Sequence, residues 1–600
     1  MNRSRTPFTL ALTIVATMTL TSCSQEAIDP SEFVYAEDGR LYFANGDELS
    51  LWGVNLQPCL SWEYHSLFKL IGLPETAETL KKATDDALDE IEKMRCDVIR
   101  AHLVPSDFAD QDGNLVETVY LDLLDYMVAE AAKRDIYVYL SFLNPHMSYD
   151  IDVEDPSQHS PSVVPDTFLN DFERKELTID PVFIEKSKTY VTQLLNRRNP
   201  YNQKTYKNTP EIALWEIANE PIYYSYKEIK ETRNYDVFKK WAKDAGLEDN
   251  EESYFKFRHD RTLEYINAMY DTVRATGTVQ PIVWNCNWHR MIRGRRDVFD
   301  AIAKSKVEVV SFCNYPGQSI LKRPYTKNPE DLSRHDFADF LRKSYTEKDW
   351  YDWALTPEFM KKAKVVYEFE TFYNYSSYLY PAQAEFFRAM GVQSATMWHY
   401  SMPAYAPYRN GSHHLSLTST PPKAMAYAIA GQTFRNTPLY HDYDTESPTE
   451  KIGENVMYSY AKDASLYSDA DNYLHTGDVS SEQLPKPHQS VKRITGLGSS
   501  PLVEYTGTGI YSVEISEDKI DITIEANATH LKPLWGKDFL KEIVTQLDYE
   551  TAHPFELKLD NWSASGSKVS RIEANGGSSV PLIGDKLKFE ALPGRYTISR

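Results

Sequence analysis

Hydrophobic and polar positions between residues 41 and 434 follow two alternating periods. Short apolar runs bounded by Gly, Asn or Pro read as buried strands, and apolar residues at three- and four-residue spacing read as helices packed over them. Leu41-Tyr-Phe-Ala-Asn45-Gly46-Asp alternates and then turns, which predicts a small hairpin closing one end of a barrel. Ser50 to Asn55 is a first strand. Leu80, Ala83, Ala87, Leu88, Ile91 and Met94 form a helical stripe, and Cys96 to Leu103 returns as a second strand. A helix over Tyr120–Arg134 leads to a third strand, Ile136 to Phe142.

A long Pro- and Asp-rich segment, Asn144 to Thr178, then breaks the rhythm. Segments of that length in a compact domain are usually functional. Asp180-Pro181 opens a helix, Asp as N-cap and Pro in the first turn. Ile212-Ala-Leu-Trp-Glu-Ile-Ala-Asn-Glu-Pro221 is the fourth strand, stopped by Pro221, which has no N–H to donate. A helix over Asp260–Thr276 ends at Gly277, and Pro281 to Asn285 is strand five. Val307 to Pro316 gives strand six and Lys364 to Glu370 strand seven. A helix over Pro381–Met390 ends at Gly391, before strand eight, Ser394 to Trp398. Eight strands with intervening helices predict an α/β chain, a (β/α)8 TIM barrel.

After Phe434 the texture changes. Asp521-Ile-Thr-Ile-Glu525 and Lys586-Leu-Lys-Phe-Glu590 alternate strictly, and Asn575-Gly576-Gly577 is a turn signal. A helical stripe is expected at most around Ser459 to Tyr467. The C-terminal region therefore reads as a β-sandwich-like domain with no catalytic motif of its own. The expected division is 1–22 leader, 23–31 tether, 32–434 barrel and 435–600 β-rich domain.

Length supports two folded units, since 600 residues exceed what one core organises. A formal net charge of -22 without a basic patch argues against nucleic acid and anionic membrane surfaces. The start differs from the rest. Arg3 and Arg5 precede an apolar run from Phe8 to Leu20, too short to remain as a membrane span. The run ends in Leu20-Thr-Ser-Cys23, which resembles a bacterial lipoprotein box and implies that Cys23 is lipidated; the alternative is a plain secretory leader. The expected location is the bacterial cell envelope, outer membrane, periplasmic or surface-facing, held by that anchor alone. Cys59, Cys96, Cys286 and Cys313 are far apart and read as buried thiols.

The chemistry concentrates at strand ends. Glu220 ends strand four and Glu368 stands on strand seven, where a parallel barrel presents catalytic groups. Two carboxylates facing each other across a barrel mouth are what glycosidic bond cleavage needs. Trp215-Glu-Ile-Ala-Asn219-Glu220-Pro resembles the acid/base signature of the retaining (β/α)8 glycoside hydrolases that include glycoside hydrolase family 5. Val365-Val-Tyr-Glu368-Phe is similar to their nucleophile strand, and Asn196 to Pro210 to the run before the acid/base in their β-mannanases.

The resemblance covers most of Leu41 to Phe434. It implies Glu220 as general acid/base, Glu368 as nucleophile, Arg100 and Tyr315 as supports of the nucleophile, Asn219 on the sugar 2-hydroxyl and Trp398 as the floor of the sugar subsite. His102 and Trp288 complete the expected substrate-binding set, and Arg100 has the alternative of pairing with Glu216. An acid that keeps its proton calls for a drier setting or a neighbouring negative charge, so the raised pKa is expected at Glu220.

Two departures stand out: Glu370 where the family has Gly, and Cys313 where it has His. Strand alternation puts Glu368 and Glu370 on one face, so Glu370 remains an alternative nucleophile. Aromatics gather at strand ends: Trp62 and Tyr64, Tyr223, Tyr224 and Tyr226, Trp284 and Trp288, Tyr373 and Tyr375, Trp398 and Tyr400. Flat rings of this kind suit pyranose faces. His399, His413 and His414 lack ligand spacing, so no metal and no cofactor is expected. The expected activity is cleavage of a β-linked polysaccharide or oligosaccharide, β-mannan or β-glucan foremost and a galactan after them. The alternative is an inactive glycan-binding surface lipoprotein.

Overall fold

The structure, a computed structural model, describes residues 30–56, 68–144, 163–288, 294–317, 330–371, 373–410, 413–477, 479, 485–532, 542–573 and 576–600. The leader with Cys23, and Cys59, Trp62 and Tyr64, lie outside the described residues.

Two short strands, β1 (Tyr35–Glu37) and β2 (Arg40–Tyr42), form the N-terminal hairpin. Its turn is Asp38-Gly39, both with positive φ, rather than the expected Asn45-Gly46. The latter is a second turn that brings Glu48 back against Tyr42 through one isolated bridge. Asp-Gly and Asn-Gly are equivalent turn signals, and pairing length decided between them. Leu41 and Leu49 from this region join Leu51, Val98, Leu214, Val283, Val309 and Val365 in a cluster that runs through the barrel interior as far as Tyr315 and Tyr367.

Among the described residues eight parallel strands close that barrel in chain order: β3 (Leu51–Asn55), β4 (Val98–His102), β5 (Tyr137–Ser141), β6 (Ile212–Glu216), β7 (Ile282–Asn285), β8 (Val309–Asn314), β9 (Ala363–Phe369) and β10 (Val392–Met397), the last pairing back with β3. Nearly every residue of these strands is buried, which is why each reads as a continuous apolar run. Gly53 is required: a Cβ there would lie 1.6 Å from the Val98 carbonyl oxygen. The fold is a TIM barrel.

The principal helices are α1 (Ala77–Lys93), α2 (Val119–Ala132), α3 (Pro181–Asn196), α4 (Tyr235–Asp244), α5 (Glu251–Ala275), α6 (Arg296–Lys304), α7 (Ala338–Thr346), α8 (Leu379–Ala389) and α9 (Pro421–Asn436). At α3 the Asp180 carboxylate accepts from the backbone N–H groups of Val182 (2.8 Å) and Phe183 (3.1 Å). Helix α5 starts nine residues before the expected Asp260, at an Asn250 cap followed by Glu251 and Glu252. Its first turns bury Tyr254 and Phe257 on one side, a stripe that the expected start left out.

The C-terminal region is a β-sandwich-like domain. Among the described residues it has a ten-stranded sheet, a three-stranded sheet (Val503–Tyr505, His553–Leu557, Leu587–Ala591) and a two-stranded ribbon (Asn527–His530, Thr545–Asp548). Phe555 and Phe589 of the small sheet pack with Ile520, Ile522, Tyr596 and Ile598 of the large one. Residues 459–467 form no helix: Val456–Ser459 and Ala464–Ser468 are antiparallel strands buried along their whole length, which erased the two-residue alternation. Tyr458, Tyr467 and Leu474 pack into the barrel's outer core, and Lys93 pairs with Glu525 at 2.8 Å.

Candidate active site

The Ile212–Pro221 segment leaves β6 without losing its direction. Ile217 N–H donates to the Val283 carbonyl (3.1 Å) and Asn219 N–H to that of Leu143 (2.8 Å). Glu220 then turns into the left-handed region, φ +42°, before Pro221. A non-glycine residue there is uncommon and tends to mark a functional position. The turn leaves the carboxyl at the C-terminal mouth of the barrel, with 13% of the side chain exposed. Its Oε1 accepts from Trp288 Nε1–H and the Tyr367 hydroxyl, both at 2.7 Å. Its Oε2 lies 3.3 Å from Arg174 Nη2, which also donates to the Glu220 main-chain oxygen.

Glu368 enters from β9 across a β-bulge. Cys313 pairs with Glu368 one step after Phe312 pairs with Val366, so Tyr367 is an extra residue in the ladder. On the other edge, Ala395 and Met397 span Val366 to Phe369. The bulge brings Tyr367 and Glu368 to the mouth together and breaks the expected alternation. Glu370, expected on the same face as Glu368, instead forms a fully buried ion pair with Lys423 of α9 at 3.0 Å. Its Oε1 also accepts the backbone N–H of Thr371. The register shift precedes Glu368, and β9 ends at Phe369, so Glu370 stands past the strand, where the two-residue alternation no longer sets its direction.

Arg100 is the hub. Its Nη1 donates to Asn55 Oδ1 (2.9 Å), His102 Nε2 (2.6 Å) and Glu368 Oε1 (3.2 Å). Its Nη2 donates to Asn219 Oδ1 (2.9 Å) and to Glu216. The sequence offered Glu216 or the substrate region as alternatives for Arg100; it contacts Glu216 and Glu368 together. The side chain has no exposed surface, and it meets the mouth through Glu368 and Asn219. His102 is likewise buried: its ring stacks on Trp398 at 5.1 Å and its Nδ1 faces the Asn144 amide at 2.8 Å. Tyr315 donates its hydroxyl to Glu368 Oε2 at 2.8 Å. Trp288, expected on the sugar, stacks on Tyr315 at 4.8 Å while its N–H holds Glu220. Trp288 and Trp398 are both partly exposed against the mouth.

Charge balance explains the electrostatics. Glu216, Glu220 and Glu368 face the two guanidiniums of Arg100 and Arg174, so the described mouth has one negative charge in excess unless a proton is held. Burial, then the charge of Glu220, push Glu368 well above the ordinary carboxylate range, while Arg100 and the Tyr315 hydroxyl pull it down. Burial disfavours the charge of Arg100, but Glu216, Tyr139 and Glu368 outweigh it and raise its pKa. The drier carboxyl is thus Glu368, whereas the sequence reading expected it at Glu220. Glu220 has the donors instead.

The aromatics divide. Trp284 packs against Tyr265 in the core, Tyr223 and Tyr224 are buried, and Tyr400 donates to Glu90 at 2.8 Å. Cys96, Cys286 and Cys313 are buried. His399 Nε2 accepts from Arg409 at 2.8 Å. Sequence reasoning missed Arg174, although the segment carrying it was singled out, and Tyr367, which alternation turned away from the mouth.

No family model matches the sequence. Over 109 residues the chain is 31% identical to mannan endo-1,4-beta-mannosidase 5 of Arabidopsis thaliana, a stretch of 18% of this chain that spans about a quarter (24%) of that relative's length. Among solved structures it is similar to the endo-1,4-beta-mannanase of Rhizomucor miehei (14% identity, TM-score 0.43, 68% of this chain and 100% of that one). It is also similar to the endo-beta-1,4-mannanase of Thermotoga petrophila (13%, 0.43, 91% and 98%). A glycoside hydrolase family 5 mannosidase of Rhizomucor miehei is a third (13%, 0.41, 68% and 98%).

Proposed function

We propose that this protein is a retaining glycoside hydrolase acting on β-linked polysaccharide or its oligosaccharides, with β-mannan or β-glucan as the substrate class. The observation that carries the reading is the pair Glu220 and Glu368, brought to one barrel mouth by β6 and β9 and coupled through their charges. The stretch shared with a plant mannan endo-1,4-beta-mannosidase supports β-mannan as the first substrate to try.

In the first step Glu368, as carboxylate, attacks the anomeric carbon and forms a glycosyl ester. Glu220 gives its proton to the departing glycosidic oxygen. In the second, the Glu220 carboxylate takes a proton from water, whose oxygen attacks the anomeric carbon and releases Glu368. The excess negative charge of the mouth is what retains one proton for this pair. When that proton is on Glu220, its share of the repulsion on Glu368 disappears, and against burial and Glu216 it is Arg100 and Tyr315 that favour the ionised nucleophile. Arg100 orients Asn219 toward the 2-hydroxyl position, and the Trp398 ring supplies an apolar face for the sugar. The Leu20-Thr-Ser-Cys23 leader supports display on a bacterial envelope.

Release of reducing ends from a panel of β-mannans, β-glucans and galactans tests the activity. A 2-fluoro glycoside of the accepted sugar should label Glu368; a label on Glu370 would reassign the nucleophile. Glu220→Gln should fail on natural glycans yet retain turnover of nitrophenyl glycosides, whose leaving group needs no proton. Equal loss on both substrates would remove Glu220 from the acid role.

A further inference from the structure

The segment after β5 ends in two short 3-10 turns, Phe168–Asp171 and Arg174–Glu176, the second placing Arg174 against Glu220. Arg174 has 17% of its side chain exposed and makes two contacts to one residue: Nη2 to the main-chain oxygen and, at 3.3 Å, to carboxyl Oε2. The first contact holds the carbonyl of a residue in the left-handed region, φ +42°. The second sets a fixed cation beside a carboxyl that must gain and lose a proton in each turnover. Lys175 and Arg233, the cations around it, are engaged elsewhere, with Glu228 (2.5 Å) and Glu176 (2.8 Å).

We propose that Arg174 is a positioning residue for the acid/base: it clamps the Glu220 turn and favours the ionised carboxyl, and so sets the alkaline limit of hydrolysis. The inference rests on Glu220 being the acid/base. The groups facing Glu220 are Arg174 from the segment after β5, Trp288 after β7, Tyr315 after β8, and Tyr367 and Glu368 on β9. Trp288 and Tyr367 donate without carrying charge, and Glu368 opposes ionisation. Arg174 is therefore the one cation among the described residues in ion-pair contact with this carboxyl. Burial lowers its pKa, an effect that Glu220 offsets only in part, and a guanidinium remains charged throughout the working pH range.

An opposite charge at this separation lowers a carboxyl pKa by about one to three units. The test uses the full chain with 13C-labelled glutamate carboxyls, the Glu220 signal being assigned by its absence in Glu220→Gln. Arg174→Gln and Arg174→Met remove the cation, and both are checked for an unchanged melting transition. In either folded variant the Glu220 titration is expected to rise by about one unit or more. The alkaline limb of kcat/KM on a glycoside with a poor leaving group should rise with it. A Glu220 titration identical to wild type in a folded variant overturns the proposal, whatever the loss in rate. The carboxyl titration needs no substrate, so an inactive wild-type protein would refute the hydrolase reading while still deciding the role of Arg174.

Discussion

Lys423→Met tests whether Glu370 is structural. Both side chains of the Glu370–Lys423 pair have no exposed surface, and their charged atoms are 3.0 Å apart. At an effective dielectric of about 20 that separation corresponds to roughly 5 kcal/mol of attraction. Removing one partner of a buried pair costs about 3–5 kcal/mol, because the other charge is left in the interior. Lys423 also donates to the His414 carbonyl at 2.8 Å and faces the Tyr375 ring at 4.9 Å, so Met keeps the stem and forfeits these contacts. For a barrel of roughly 390 residues, about 2.1 cal/mol/K per residue gives an unfolding entropy near 0.8 kcal/mol/K. The expected fall in the barrel's melting temperature is then about 4–6 °C. Glu370→Gln should fall comparably, and the double variant by clearly less than the sum. Turnover of each folded variant at 25 °C should stay within about tenfold of wild type, since neither group touches the mouth. Calorimetry paired with initial rates reads both quantities. A Glu370→Gln protein that melts like wild type but loses turnover by several orders of magnitude would refute the reasoning and make Glu370 the reacting carboxylate.

Tyr315→Phe removes a donor to Glu368, whose pKa already lies high, so the acidic limb of kcat/KM should move to higher pH. A hydrogen bond to a charged group, worth about 1.5–3 kcal/mol, implies a roughly 10- to 100-fold loss at neutral pH; an unmoved limb would exclude Glu368 as its source. Glu90 is pushed up to about 7 by burial against the opposing Tyr400 hydroxyl, with Glu525 adding to the rise. The folded state therefore binds more protons than the unfolded chain between the ordinary value of 4.5 and about 7, and stability should fall as pH rises through that window, by about 3 kcal/mol in total. Glu90→Gln should flatten that part of the melting-temperature profile; a profile unchanged by the substitution would assign the dependence elsewhere. Cys23→Ala should release the protein from the envelope fraction, since the acidic body has no electrostatic attraction to anionic lipid. Continued co-fractionation after leader cleavage would mean that something other than acyl chains holds it.

What the sequence determined by itself was the barrel and the place of its candidate site. Strands buried on both faces show as continuous apolar runs, and helices over them as stripes, so the order of elements follows from local pattern. Asn219-Glu220-Pro221 was legible because proline ends a strand at the place where a barrel carries its active groups. Tertiary structure decided what local period cannot encode. One extra residue on β9 brought Tyr367 to the mouth with Glu368, and the end of β9 at Phe369 left Glu370 to Lys423, a partner 53 residues away. Arg174 reached Glu220 across 46 residues, through turns that lack a repeating pattern. The proton balance is likewise a property of the assembled mouth. Three carboxylates and two guanidiniums come from separate elements, and burial strengthens each charge's effect on the others. A sequence names the ionisable groups; their mutual distances, which fix which of them holds the proton, exist only once the barrel has closed.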